Sequence, residues 1–99
     1  MRVLFDGESA DLTAAALSAL DAVAARLERQ PDLRLQLKAY ATGAGETASR
    51  ARRLSFSRAL AVRSYLIERG VRGTRIDVRA LGGDTDITPR DRVDLSLAQ

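Results

Sequence analysis

The feature that most constrains this chain is a strict alternation of apolar and polar residues between positions 33 and 40. The apolar members are Leu33, Leu35, Leu37 and Ala39, and the polar members are Arg34, Gln36, Lys38 and Tyr40. A period of two predicts a β-strand with one apolar face. A chain of 99 residues can hold one core built from two layers, so helices are expected to cover that face.

Two segments with helical periodicity lie on either side of this strand. Thr13 can cap a first helix that runs to about Gln30. Its apolar stripe follows spacings of three and four and consists of Leu17, Leu20, Ala24 and Leu27. A second helix is predicted from about Ala48 to Arg69, and Gly70 stands where a left-handed helix cap is expected.

Shorter alternating segments predict three further strands. They lie around Val3 and Phe5, from Ile76 to Ala80, and from Val93 to Leu97. Loops are predicted over residues 41–47 and 82–89. The order is therefore β-α-β-α-β-β, with one sheet and both helices on one face of it. All 99 residues are expected to form a single domain.

Composition excludes several kinds of catalytic and metal site. The chain has no Cys and no His, which excludes disulfides, thiolate nucleophiles, imidazole bases and the ordinary zinc sites. Asp84 and Asp86 are a carboxylate pair, but they lie in a polar loop and fit turn residues better than catalytic ones. We therefore expect neither an enzyme nor a cofactor.

The charge pattern predicts a solvated surface. The 16 basic and 13 acidic residues are interspersed, and the net charge is only +3. A nucleic-acid partner is not expected, since the run Arg50, Arg52, Arg53 has no aromatic platform for base stacking. No stretch is long and apolar enough to span a membrane, and the first residues do not resemble a signal peptide. A targeting segment, if the domain works outside the cytoplasm, would lie outside this sequence.

Arg58 is the residue that fits the apolar pattern least. It lies on the apolar stripe of the second helix, one turn after Leu54 and one turn before Val62. A buried guanidinium without a partner costs several kcal/mol, so its position on an apolar stripe needs an explanation. Arg58 could extend its charged end to solvent or pair with an internal carboxylate such as Asp77 or Asp94. The functional alternative is that it reaches out at the edge of the sheet and binds an external carboxylate.

The loop before the second helix has the composition of a ligand-approach loop. Its residues Thr42-Gly43-Ala44-Gly45 allow close backbone approach, and free N–H groups at a helix start favour anions. An ordinary flexible turn is the alternative. The Gly-Lys-Ser/Thr ending of a nucleotide-binding P-loop is missing, so nucleotide binding is rejected.

The segment from Arg53 to Leu66 resembles the Leu-Ser-x-x-Arg-Ala-x-x-Val signature of OmpA-like domains, found at the C-termini of OmpA, MotB and peptidoglycan-associated lipoproteins. The resemblance extends to Val3–Asp6, Ser9–Leu12, Gly70-Val71, Arg75-Ile76 and Arg92–Leu95. The last of these looks like the family's closing Arg-Arg-Val-Glu strand. The resemblance implies an α+β two-layer sandwich with one mixed four-stranded sheet and two helices on one face.

The resemblance also implies a function. The family binds the peptide stem of peptidoglycan, and an Asp in a Gly-His-Thr-Asp loop and the Arg of the Arg-Ala pair grip diaminopimelate. Arg58 matches that Arg, but Thr42 or Gly43, according to the direction of counting, stands where the Asp is expected. Two further family Asn positions hold Ala51 and Arg90.

The implied ligand site therefore lacks one of its charges. Arg58 would bind a carboxylate, helped by the backbone around Thr42 and Gly43. Tyr40 and Arg92 would line the site. Glu46 is the nearest acid in the loop and could replace the missing one, although a solvated residue near a helix start is the simpler interpretation.

The resemblance thus implies a non-catalytic module that binds peptidoglycan in the periplasm or cell envelope of a Gram-negative bacterium. The alternative is a degenerate domain that acts as a scaffold or protein-interaction module for another envelope protein.

Overall fold

The computed structural model describes residues 1–43 and 45–99, which form four strands and two long helices. The strands are β1 (Arg2–Leu4), β2 (Arg34–Tyr40), β3 (Ile76–Gly82) and β4 (Arg92–Ala98). The helices are α1 (Ala14–Arg29) and α2 (Ala48–Glu68), with short 3₁₀ turns at Gly45–Thr47 and Gly73–Arg75. The predicted element order is confirmed.

The sheet is mixed and has the order β1-β4-β2-β3. β4 pairs antiparallel with both β1 and β2, while β2 and β3 are parallel. Since parallel neighbours need a crossover, α2 connects β2 to β3 and packs over the sheet. The predicted α+β fold, with one mixed four-stranded sheet and two helices, is therefore confirmed.

Capping explains where the helices begin and end. The Thr13 hydroxyl accepts a hydrogen bond from the Ala16 amide (3.1 Å), as predicted from its position before the apolar stripe. After the C-terminal end of α2, Gly70 has a φ of +96°, a left-handed conformation that favours glycine. The Val71 amide then donates to the Leu66 carbonyl and closes the helix end.

The core lies between the sheet and the two helices. Its larger fully buried aliphatic residues are Leu20, Leu27, Leu35, Leu37, Val62, Leu66 and Val93. Arg75 fixes one end of this core, since its guanidinium donates to the carbonyl oxygens of Leu27, Gln30 and Leu33. Across the described residues, neither helix combines the length and the apolar character that crossing a bilayer requires.

Candidate functional site

Arg58 lies on the inward face of α2, at the end of the sheet where β2 finishes and β4 begins. Its side chain is 0% exposed, and it shares with Arg92 the place of largest fully buried side chain among the described residues. The expectation that it reaches outward at the edge of the sheet is therefore wrong. The reason is that chain segments near this sheet end surround the guanidinium with acceptors.

Four hydrogen bonds satisfy the Arg58 guanidinium. Nε–H donates to the Ser9 carbonyl (2.8 Å), and Nη2–H donates to the Gly7 carbonyl (2.7 Å). Nη1 donates to the Tyr40 carbonyl (3.2 Å) and to the Asp91 carboxylate (2.8 Å). The Phe5 ring lies 5.1 Å from the guanidinium carbon and adds a cation–π contact.

The internal partner of Arg58 is Asp91, a residue that the sequence did not indicate. Asp77 pairs instead with Arg34 (3.0 Å), and Asp94 pairs with Arg92 (3.0 Å). The alternative that Arg58 pairs with an internal carboxylate is therefore confirmed, but the two acids suggested for it, Asp77 and Asp94, were wrong. A buried charge needs a close partner, and among the described residues the acid that forms an ion pair with Arg58 is Asp91, directly before β4.

Asp91 joins Arg58 to the loop after β2. One carboxylate oxygen accepts from the Thr42 amide (3.1 Å), and the other accepts from the Thr42 hydroxyl (2.8 Å). Unlike Arg58, the Asp91 side chain stays 27% exposed. Partial burial raises the pKa of Asp91, but the hydrogen bonds from Arg58 and Thr42 and the Arg58 charge outweigh it, so this pKa lies below its usual value. Asp91 is therefore a charged group at the surface.

A cleft of about 510 Å³ opens beside Asp91. It lies between the first turns of α2, the loop after β2 and the β1–α1 connection. Its lining residues are Gly7, Glu8, Thr42, Gly43, Thr47, Arg50, Ala51, Leu54 and Asp91. Both signs of charge occur at its wall, because Arg50 and Glu8 form a solvent-exposed ion pair there (3.8 Å).

Within the cleft lining, the loop after β2 lies very close to α2. A Cβ added to Gly43 would lie 2.7 Å from the Ala51 Cβ, so a side chain here would displace the helix or the loop. Gly43 also meets Gly83 of the β3–β4 loop, where an added Cβ would collide with the Gly43 carbonyl. Small residues at these positions therefore allow the two loops and α2 to approach this closely. Ala44, the next loop residue, lies outside the described residues.

Comparison with models of known families identifies the family of this chain. The model of the OmpA family matches residues 4–94. The chain belongs to the OmpA family. No protein with a curated description matches it in sequence.

Solved structures of other OmpA-like domains share this fold. The OmpA-like domain of FopA1 from Francisella tularensis has a TM-score of 0.85 at 18% identity, covering 98% of this chain and 70% of that one. The peptidoglycan-associated lipoprotein from Burkholderia pseudomallei has a TM-score of 0.86 at 21% identity, covering 98% and 89%. The C-terminal domain of Helicobacter pylori MotB has a TM-score of 0.76 at 13% identity, covering 100% and 84%.

The OmpA family's closing motif shows what is unusual about Asp91. With Val93 at the valine of Arg-Arg-Val-Glu, Asp91 stands at the first arginine of that motif. The chain therefore has an acid at an expected arginine and a neutral residue, Thr42 or Gly43, at the expected aspartate. The acid at the expected arginine was the signal that could have revealed Asp91.

The structure places the six residues predicted for the site in different surroundings. Thr42 and Gly43 line the cleft, while Arg58 lies behind it and contributes through Asp91. Tyr40 contacts Arg58 through its backbone carbonyl. Glu46 is exposed on the 3₁₀ turn and does not belong to the described lining of the cleft.

Arg92 supports the neighbouring loop. Its side chain is buried and its guanidinium carbon lies 4.2 Å from the Tyr40 ring centroid. It donates to the carbonyl oxygens of Ile87 and Pro89 and to the Thr85 hydroxyl, which holds the β3–β4 loop in place. In the described part of the chain, no group of three or more acidic residues is placed to hold a metal ion.

Proposed function

We propose that this domain is a non-catalytic module that binds the peptide stem of peptidoglycan in the cleft beside the start of α2. Membership of the OmpA family supports this class of function, since its members bind peptidoglycan or act in envelope complexes. The proposed location is the periplasm or cell envelope of a Gram-negative bacterium.

The observation that carries the proposal is the charged Asp91 carboxylate at the wall of the cleft. A peptide stem with diaminopimelate offers both an ammonium and carboxylates. Asp91 supplies the anion that the loop sequence lacks, and Arg50 supplies an exposed cation on the same cleft. A charge-assisted hydrogen bond contributes about 1.5–3 kcal/mol, enough to change a dissociation constant by tenfold or more.

Retention on insoluble, diaminopimelate-containing peptidoglycan tests this function. We expect the wild-type domain to sediment with the polymer and Asp91→Asn to bind about tenfold more weakly. Asp77→Asn is the matched control, because it makes the same charge change in an exposed pair with Arg34 outside the cleft. Thermal unfolding of each variant checks that loss of binding is not loss of fold.

The alternative function is a scaffold or protein-interaction module in the envelope. The observation that favours it is that the Arg58 guanidinium donates its hydrogen bonds to groups within the domain and not to a ligand. Its acceptors belong to Ser9, Gly7, Tyr40 and Asp91. If the folded wild-type domain stays in the supernatant with peptidoglycan, the cell-wall proposal is wrong and this alternative remains.

A further inference from the structure

We propose that the outward side of α2 is a docking surface for an acidic amphipathic helix of another protein. The surface is a stripe of four residues, Phe56, Leu60, Arg63 and Ile67, which we name the outer stripe. None of the four belongs to the described lining of the cleft. Leu54, which does line the cleft, lies about 150° away around the helix at about 100° per residue. The inference therefore goes beyond the proposed function.

The outer stripe has the spacing of a contact between two helices. Its residues follow one another at intervals of four, three and four positions, so they span only about 60° of the helix surface. Alternating intervals of three and four are typical of the seam between paired helices. Phe56 and Ile67 are about 16 Å apart along the helix axis, which is about three turns. A partner helix of similar length would match the stripe.

Three of the four side chains are large, apolar and exposed. Phe56 is 48% exposed, Ile67 40% and Leu60 38%. Six large apolar side chains are exposed among the described residues, so half of them lie on this one stripe. Single apolar residues on a surface are ordinary, but a contiguous group of them indicates an interaction surface.

The described elements leave the outer stripe uncovered. α1 packs on the opposite side of α2, where the Tyr65 hydroxyl donates to the Asp21 carboxylate (2.6 Å). On the near side, the side chains of Arg63 and Ile67 lie against Gly73, in the turn before β3. β3 is an edge strand of the described sheet. A partner helix can therefore lie along the stripe without displacing a described element.

The charges around the outer stripe are positive and unpaired. Arg63 lies within the stripe, and Arg52 and Arg53 lie on either side of it, each about 50° from its centre. None of these three arginines forms an ion pair with a described residue. Glu68 is the single acid of α2 and lies about 110° from the centre of the stripe. Charge complementarity therefore requires an acidic partner.

The position of Arg63 favours a helix over the other possible occupants. A cation in the middle of an apolar stripe opposes burial in a lipid interface, where charged residues belong on the polar flank. A second copy of this domain would bring its own unpaired arginines against these, and like charges repel. A carboxylate on a partner helix can instead face Arg63 between two apolar contacts.

Fluorescence anisotropy with three synthetic helices tests the inference on the wild-type domain. Each helix has about 18 residues and places Leu at the seam positions that meet the three apolar residues of the stripe. The seam position facing Arg63 and the flanking positions carry Glu in the first helix, Gln in the second and Lys in the third. A contact of about three turns is small, so we expect the acidic helix to bind with a dissociation constant of about 10–100 μM.

The order of the three affinities decides the role of charge. The neutral helix should bind about tenfold more weakly than the acidic one, and the basic helix more weakly still. Equal binding of the three helices, or no binding of the acidic helix at about 1 mM, would overturn the inference.

Substitution of an apolar residue locates the contact. Leu60→Ala keeps a good helix former and should raise the dissociation constant of the acidic helix about fivefold. Ile87→Ala is the matched control, since Ile87 is 56% exposed in the β3–β4 loop and lies outside the stripe. An equal effect of the two substitutions would show that the helix does not dock on the outer stripe.

Charge reversal tests the pairing at Arg63 directly. Arg63→Glu should weaken binding of the acidic helix about tenfold. Exchanging only the seam Glu of the peptide for Lys should restore binding to this variant and weaken binding to the wild type. Arg79→Glu, at an exposed arginine of β3, should keep the wild-type preference. If the exchanged peptide does not restore binding, Arg63 does not face the partner and the inference is wrong.

The other occupants are tested with the same Leu60→Ala variant. Binding to phosphatidylglycerol vesicles, or a dimer in sedimentation equilibrium, that is lost in Leu60→Ala would assign the stripe to a membrane or to a second copy and overturn the inference. We expect neither at about 100 μM protein. Retention on peptidoglycan should be equal for Leu60→Ala and the wild type, so failure of the docking proposal leaves the cell-wall proposal intact, and the reverse.

Discussion

Arg58 and Asp91 form an ion pair in which only the carboxylate reaches solvent. The 2.8 Å contact joins residues 33 positions apart in the chain, one on α2 and one at the start of β4. Removing one partner of a buried pair leaves the other uncompensated, which costs far more than the pair itself contributes. Arg58 is therefore both a structural residue and the support of the cleft wall.

Replacement of Arg58 should destabilise the fold strongly. In Arg58→Ala, the carbonyls of Gly7, Ser9 and Tyr40 lose a donor and Asp91 loses its counter-ion. We expect the free energy of unfolding, measured with urea, to fall by about 3 kcal/mol or more. Arg34→Ala, which breaks the exposed pair with Asp77, should cost less than about 1 kcal/mol. Equal losses in the two variants would contradict the assigned role of Arg58.

The lowered pKa of Asp91 makes stability depend on pH in acid. A carboxyl with a lower pKa in the folded state contributes stability above its unfolded value, about 3.9, and loses that contribution as pH falls through the folded value. The stability difference between wild type and Asp91→Asn should thus be largest near neutral pH and shrink below about pH 4. Urea unfolding at a series of pH values measures it, and a difference that is constant across the series would argue against the pair.

Hydrophobic periodicity alone could not identify the partner of Arg58. Periodicity placed Arg58 on the apolar face of α2, where its charge needed an explanation, but it did not give the strand order. Asp91 comes close only because β4 lies next to β2 in the sheet, so the start of β4 meets the end of β2. Alternation within a strand shows which face of the strand is buried, but it does not show which other strands pair with it.

At the scale of elements, prediction succeeded where the hydrophobic pattern was regular. The alternating segment beginning at Leu33 is β2, and the two helical stripes are α1 and α2. The predicted and observed ends of a strand differ where hydrogen-bonded pairing with a neighbouring strand continues beyond the alternating residues. β3 extends beyond Ala80 to Gly82 because Tyr40 pairs with Gly82 after an irregularity in the register. Such an extension depends on a partner strand and leaves no periodic signal in the sequence.

The end of α1 is held by a side chain from a distant turn, and this contact can be tested. Arg75→Ala removes the donors to the carbonyls of Leu27, Gln30 and Leu33. Hydrogen bonds from a charged donor are worth about 1.5–3 kcal/mol, so we expect a loss of about 2 kcal/mol in chemical denaturation. Arg72→Ala, at an exposed arginine of the same segment, should change stability by less than about 0.5 kcal/mol. A similar effect of both substitutions would show that Arg75 does not act through these carbonyls.

At the scale of the whole molecule, the sheet order concentrates the candidate site at one end of the domain. The end of β2, the start of β4, the first turns of α2 and the β1–α1 connection all meet there. Residues far apart in sequence thus form one cleft on a scaffold that other OmpA-like domains share. The fold brings these segments together, and Asp91, Glu8 and Arg50 give the described wall of the cleft both signs of charge.

The most direct test of this account is an amide nitrogen–proton NMR titration of the wild-type domain with a diaminopimelate-containing stem peptide. If the peptide binds in this cleft, concentration-dependent shifts are expected at the amides of Thr42, Gly43, Arg50 and Asp91, and the opposite sheet end around Leu97 stays unchanged. Shifts confined to that opposite end, or none at peptide concentrations that saturate a known peptidoglycan-binding domain, would contradict it.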